Sequence, residues 1–177
     1  MICWVHGAFS SSRSFNYLKQ FAPKNALMFE YSVNTPLESN IETLSRLLEQ
    51  NPVDAIVGHS LGGVMAAIMV KRLGISKGVA ISAPLRGFMI GNLFPFSQVL
   101  ADTASWGPTI CEIADHTFDD NFLSIVARQG NTASDGVVPV RSQLGAQGSR
   151  INYVDSNHFE VLLEPDVGQL IQKHLGC

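Results

Sequence analysis

Gly58-His59-Ser60-Leu61-Gly62 sets a serine between glycines two residues before and two after it. A short β-branched apolar run leads in, and a helix-compatible run begins near Leu61. This is the spacing of a nucleophile elbow, in which a strand ends, the chain reverses and a helix starts at once. The serine then sits at the tip in strained backbone with its hydroxyl exposed, and small residues flank it because strand and helix crowd together. A tight strand-to-helix turn without chemistry carries the same signature. The hydroxyl gains meaning only if the chain also supplies a base, an orienting acid and oxyanion donors.

Each of these has a candidate. His158, in Asp155-Ser156-Asn157-His158, follows an apolar run and can accept the serine proton as a neutral imidazole. Such a base predicts activity falling below about pH 6. Asp135, in Ser134-Asp135-Gly136-Val137-Val138-Pro139, can hold the far ring nitrogen. Asp155, close to His158 in sequence, is the alternative acid. The backbone N–H of Leu61, at a helix N-terminus directly after the serine, is one oxyanion donor, and that of Ala8 in His6-Gly7-Ala8 is the other. His59 is an alternative base that would point away from Ser60. His6 shapes the oxyanion loop through hydrogen bonds. His116 and His174 lack a motif and read as surface or helix-end residues. Asp119 and Asp120 precede a strand, at the wrong edge, and Asp102 falls in the segment expected to form a cap. No His, Asp or Cys spacing suits a metal, and no glycine pattern suits a phosphate loop, so no cofactor is expected.

The elements that must position these residues alternate. Strands are expected at residues 2–5, 27–31, 53–57, 78–82, 123–127 and 151–154. Phe15, Leu18 and Phe21 recur at helical spacing before Pro23. Thr35-Pro36-Leu37-Glu38 has a capping-box pattern with proline at the first helical position, followed by an apolar stripe of Ile41, Leu44, Leu47 and Leu48. The helix after Ser60 is apolar nearly all round, which suits burial. The last helix runs to Leu175, with Gly176 beyond it. Alternation of this kind implies a parallel sheet with helices on both faces and ligands at the carboxyl ends of the strands. Every residue proposed for chemistry falls just after a strand.

Together these residues resemble the α/β-hydrolase superfamily, and within it the small lipases and esterases. The likeness rests on Val5-His6-Gly7-Ala8, Gly58-His59-Ser60-Leu61-Gly62-Gly63, Asp135-Gly136-Val137-Val138-Pro139 and Asn157-His158, in the order Ser…Asp…His that this superfamily uses. The resemblance implies a minimal α/β-hydrolase fold: a six-stranded parallel sheet in the order 2-1-3-4-5-6, starting at what would be the family's third strand. It implies a serine ester hydrolase working through an acyl-enzyme on Ser60, with His158 as base and Asp135 as acid. Acyl transfer and thioester hydrolysis use the same site, and a silent binding scaffold is a third reading. Residues 84–118 stand where relatives insert a cap or lid, and Phe9, Phe88, Leu93, Phe94 and Val137 are candidate pocket residues.

Composition bounds the rest. The 177 residues, 46% hydrophobic and 15% charged, suit one globular α/β-hydrolase domain spanning residues 1–177. A net charge of −3 without a basic cluster argues against nucleic acid. No run approaches the roughly 20 apolar residues of a membrane span, and no signal-peptide pattern precedes the first strand. Three scattered cysteines read as free thiols in a reducing compartment, so a cytoplasmic location is expected. The expected partner is a small-molecule or lipid ester, and nothing in the sequence bears on oligomeric state.

Overall fold

Six strands form one sheet in the order β2-β1-β3-β4-β5-β6, with every pairing parallel. This computed structural model describes residues 1–22, 25–87 and 107–177. The strands are β1 (Ile2–Val5), β2 (Ala26–Phe29), β3 (Ala55–His59), β4 (Lys77–Ile81), β5 (Phe122–Arg128) and β6 (Arg150–Asp155). The helices are α1 (Leu37–Gln50), α2 (Leu61–Leu73), α3 (Pro108–Ala114), α4 (Val140–Gln143) and α5 (Pro165–Leu175). The strand order matches the expectation from the resemblance.

The two-residue period of the strands divides the core in two. Cys3, Val5 and Ile56 face one side, where α1, α2 and α3 cover them. Ile2, Trp4, Val57, Val79 and Ile81 face the other, covered by α5 and the chain after β1. Each such side chain taken from water contributes about 1.5–3 kcal/mol. α2 is buried along Leu61–Val70 and reaches the surface over its last three residues, Lys71–Leu73. Arg72 pairs with Glu38 of α1 (2.8 Å) and Glu112 of α3 (2.7 Å). Among the described residues, no helix is long and apolar enough to cross a membrane.

Two local expectations are corrected. The helix expected over Phe15, Leu18 and Phe21 is instead two 3-10 turns, Ser12–Phe15 and Leu18–Phe21. A spacing of three is also the 3-10 period, so it aligns the apolar side chains without requiring an α-helix. Pro23, expected to end that helix, lies outside the described residues. α1 begins at Leu37 with Pro36 as its extended N-cap, and no side chain caps it. Asn40 instead donates to the carbonyls of Ser32 and Thr35, at 3.1 and 3.2 Å. His174 is a helix-end residue, as one of its two readings had it, and is buried there in α5 with Nε2 3.1 Å from the Asn121 carbonyl. Cys3 is buried and its thiol pKa is pushed up to about 12 by desolvation, while Cys111 and Cys177 are exposed and unbridged.

Of residues 84–118, the described parts pack on the core: Leu85, Ile110, Ile113 and Phe118 join the cluster around α2. Phe88, Leu93, Phe94 and Asp102 lie outside the described residues.

Candidate active site

Because all strands run the same way, the loops after β1, β3, β5 and β6 emerge at one edge. β3 ends at His59, and Ser60 stands between it and α2 with φ 52° and ψ −121°. A serine held there stores about 1–3 kcal/mol of strain. The surrounding backbone enforces it. Ser60 N–H donates to the Ile81 carbonyl (2.8 Å), and Gly63 N–H donates to that of Ser60 (3.0 Å). A Cβ on Gly58 would lie 2.0 Å from the Gly62 carbonyl oxygen, and one on Gly62 2.0 Å from that of Val5. Both obstacles are backbone. Gly62→Ala is therefore expected to destabilise the fold by about 3 kcal/mol or more, which urea unfolding would measure.

His158 follows β6. Its Nε2 lies 3.0 Å from Ser60 Oγ and its Nδ1 lies 2.8 Å from Asp135 Oδ2. A carboxylate only accepts, so Nδ1 carries the ring proton and Nε2 accepts from the serine hydroxyl. His158 and Asp135 are both buried. Asp135 sits in a turn after β5. Its Oδ1 accepts the N–H groups of Val137 (2.9 Å) and Val138 (2.6 Å). Burial pushes its carboxyl pKa up, but the His158 ring and the two N–H donors outweigh that and hold it below the ordinary carboxylate range. The backbone adds a further tie, His158 N–H to the Asp135 carbonyl at 2.9 Å.

Two positioning contacts have no counterpart in sequence spacing. His59 Nε2 donates to the His158 carbonyl at 2.8 Å, and its ring centroid lies 4.8 Å from that of His158. Burial, with the neighbouring His158, pushes the His59 pKa down to about 3, so the ring stays neutral. Its Nε2 is committed to that carbonyl, not to Ser60. Gln143 is buried in α4. Its amide oxygen accepts Ala127 N–H (2.9 Å), and its nitrogen donates to the carbonyls of Ala127 and Val138, each at 3.0 Å, tying the Asp135 turn to β5.

Asp155, the alternative acid, accepts Gly130 N–H at 2.6 Å. Asp120 pairs with Arg150 at the surface. His116 stands edge-on to Phe118. Leu61 opens α2, so its N–H lacks an intrahelical acceptor and carries the positive end of the helix dipole. Gly7 and Ala8 lie against Ser60 in a cleft of about 230 Å³. Phe159, Leu162 and Leu163 form its apolar wall, and Ser10 and Ser14 its rim. Sequence reasoning missed these five. The one available signal was the apolar run directly after His158. Phe9 is 64% exposed, Val137 is half-buried with its N–H on Asp135, and neither lines this cleft.

No family model matches the sequence, and no curated protein does. Solved structures match closely in shape. A lipase from Bacillus licheniformis, BlEst2 in mature form, superposes with a TM-score of 0.73 at 14% identity, covering 98% of this chain and 91% of that one. MGS-MChE2, an alpha/beta hydrolase enzyme from the metagenome of lagoon sediments at Mar Chica, Morocco, gives 0.72 at 13% identity over 97% and 88% of the two chains. Est816, described as an N-acyl homoserine lactone degrading enzyme, gives 0.66 at 11% identity over 97% and 92%. With the strand order above, these likenesses show that the chain has the α/β-hydrolase fold.

Proposed function

We propose that this α/β-hydrolase-fold chain is a serine hydrolase of carboxylic esters. The observation that carries the reading is the unbroken hydrogen-bonded path from Ser60 Oγ through His158 to Asp135, at 3.0 and 2.8 Å, opening on an apolar cleft. Fold neighbours that include a lipase and a lactone-degrading enzyme support it. A lactone is itself an ester.

In this mechanism His158 Nε2 takes the proton as Ser60 Oγ attacks the carbonyl carbon. Asp135 stabilises the imidazolium that forms and fixes its orientation. The carbonyl oxygen, now negative, is held by the N–H groups of Ala8 and Leu61. One such donor is worth roughly 3 kcal/mol of transition-state stabilisation. His158 then protonates the leaving alcohol. Water, deprotonated by the same ring, releases the acid from the acyl-enzyme.

The test is labelling by a fluorophosphonate, with the adduct mapped by mass spectrometry, alongside hydrolysis of p-nitrophenyl butyrate. A phosphonyl group on Ser60 together with turnover is the expected result. A folded sample that does neither overturns the reading.

The cleft also bounds the acyl group. At about 230 Å³ it falls below the roughly 300–1,000 Å³ of sites that enclose drug-sized ligands. p-Nitrophenyl butyrate is expected to be cleaved with kcat/KM about tenfold above that of the acetate, since each of its two additional methylenes gains about 0.8 kcal/mol when buried in the cleft. Equal values would place the acyl chain elsewhere.

A further inference from the structure

We propose that Glu30 is a positioning residue that, through His6, sets the direction of the Ala8 N–H in the oxyanion site; this rests on the hydrolase reading above. β1 and β2 are parallel neighbours, with Val5 opposite Phe29. The residues that follow them therefore emerge side by side, and His6 meets Glu30. One oxygen of Glu30 accepts Ser12 N–H at 2.8 Å, and the other lies 3.0 Å from His6 Nε2. A single carboxylate thus holds both the start and the far end of the loop that carries Gly7 and Ala8.

His6 is itself fixed. It is buried, its ring stacks on Tyr31 with centroids 4.5 Å apart and planes 8° apart, and the Tyr31 hydroxyl donates to its carbonyl at 3.0 Å. Its second ring nitrogen, Nδ1, lies 2.7 Å from the Gly7 carbonyl oxygen. A carbonyl oxygen only accepts, so Nδ1 donates to Gly7, while the Glu30 carboxylate stands against the opposite edge of the ring.

The Gly7 carbonyl and the Ala8 N–H are opposite edges of one planar trans peptide. Holding the carbonyl against His6 sends the N–H the other way. Gly7 and Ala8 line the cleft with Ser60, and a Cβ built on Gly7 would stand 3.1 Å from that of Ser60. Among the described residues no acceptor takes the Ala8 N–H, which leaves it for a ligand oxygen. Without the His6 contact this peptide is free to turn about its flanking bonds, and the donor leaves its place. Glu30 does not line the cleft: it acts on the Gly7–Ala8 peptide through His6, and its contact with Ser12 N–H holds the far end of the loop.

The test is a double-mutant cycle on p-nitrophenyl butyrate hydrolysis. Glu30→Ala is expected to lower kcat about 10–100-fold with KM within about twofold, short of the roughly 10²–10³ that follows loss of a donor outright. Affinity for a trifluoromethyl ketone, which forms a tetrahedral adduct, should fall by the same factor. His6→Asn keeps an amide donor for the Gly7 carbonyl without needing Glu30, so adding Glu30→Ala to it should change kcat by less than about twofold. Glu30→Gln, which keeps an acceptor for Ser12, serves if the alanine variant does not fold, with the same expected direction. Glu30 variants with unchanged kcat and ketone affinity overturn the proposal while the wild type still turns over and is labelled. So does an equal loss in the wild-type and His6→Asn backgrounds. A wild-type chain that is neither labelled nor active overturns this proposal and the hydrolase reading together.

Discussion

Replacing Ser60 with alanine is expected to lower kcat for ester hydrolysis by at least about 10⁴-fold and to abolish fluorophosphonate labelling, while the fold persists. The site places one hydroxyl within hydrogen-bond reach of His158 Nε2, and alanine removes only that atom. Its hydrogen bond contributes on the order of 1 kcal/mol to stability, which a domain of this size tolerates. Ser60→Gly separates function from stability more sharply. The backbone at position 60 has φ 52° and ψ −121°, a conformation that glycine adopts freely and a residue with a Cβ does not. The glycine variant is therefore expected to be as inactive as the alanine variant and about 1 kcal/mol more stable than it, by urea unfolding. Retained turnover in either variant would place the nucleophile elsewhere.

Asp135→Asn is expected to lower kcat by about 10⁴-fold, for a reason specific to this turn. Oδ1 receives two N–H groups, from Val137 and Val138, while Oδ2 receives only the His158 ring nitrogen and, at 3.4 Å, the Gln143 amide. An asparagine must leave its carbonyl oxygen with the two backbone donors. Its NH₂ then faces His158 Nδ1, the ring takes the other tautomer, and Nε2 carries a hydrogen where it should accept one. The same substitution changes acid stability. Because the Asp135 carboxyl is held below its ordinary value of 3.8, its stabilising contribution is fully present above about that pH and is lost as pH falls through the lower folded value. The wild type is thus expected to lose more stability than Asp135→Asn on acidification below about pH 4. Thermal melts between about pH 2 and pH 6 would show it, and parallel curves would contradict the stated electrostatics.

Much of the fold was legible because backbone shape follows local pattern. Apolar runs of four to seven residues became strands whose bounds lie within two residues of those expected. The glycines flanking Ser60 marked a crossing too close for a Cβ, which the 2.0 Å approaches at Gly58 and Gly62 bear out. Where one spacing serves two structures, it misled: Phe15, Leu18 and Phe21 satisfy 3-10 turns as well as an α-helix. The cleft wall was not legible. Whether Phe9 or Phe159 faces Ser60 depends on how two loops are folded, and the backbone at Phe9, with φ 56°, accompanies a side chain left 64% exposed.

By itself, the sequence determined the alternation of strands and helices, the strained turn at Ser60, and which residues follow a strand and so reach one edge of a parallel sheet. Those are consequences of periodicity and of backbone sterics, which act over a few residues. The tertiary structure alone decided which of those residues touch. It put Asp135 rather than Asp155 on the His158 ring, committed His59 to a carbonyl, and set Glu30 against His6. Hydrogen bonds form or fail within a few tenths of an ångström. Loops from distant parts of the chain reach that accuracy only when the packed sheet holds their ends.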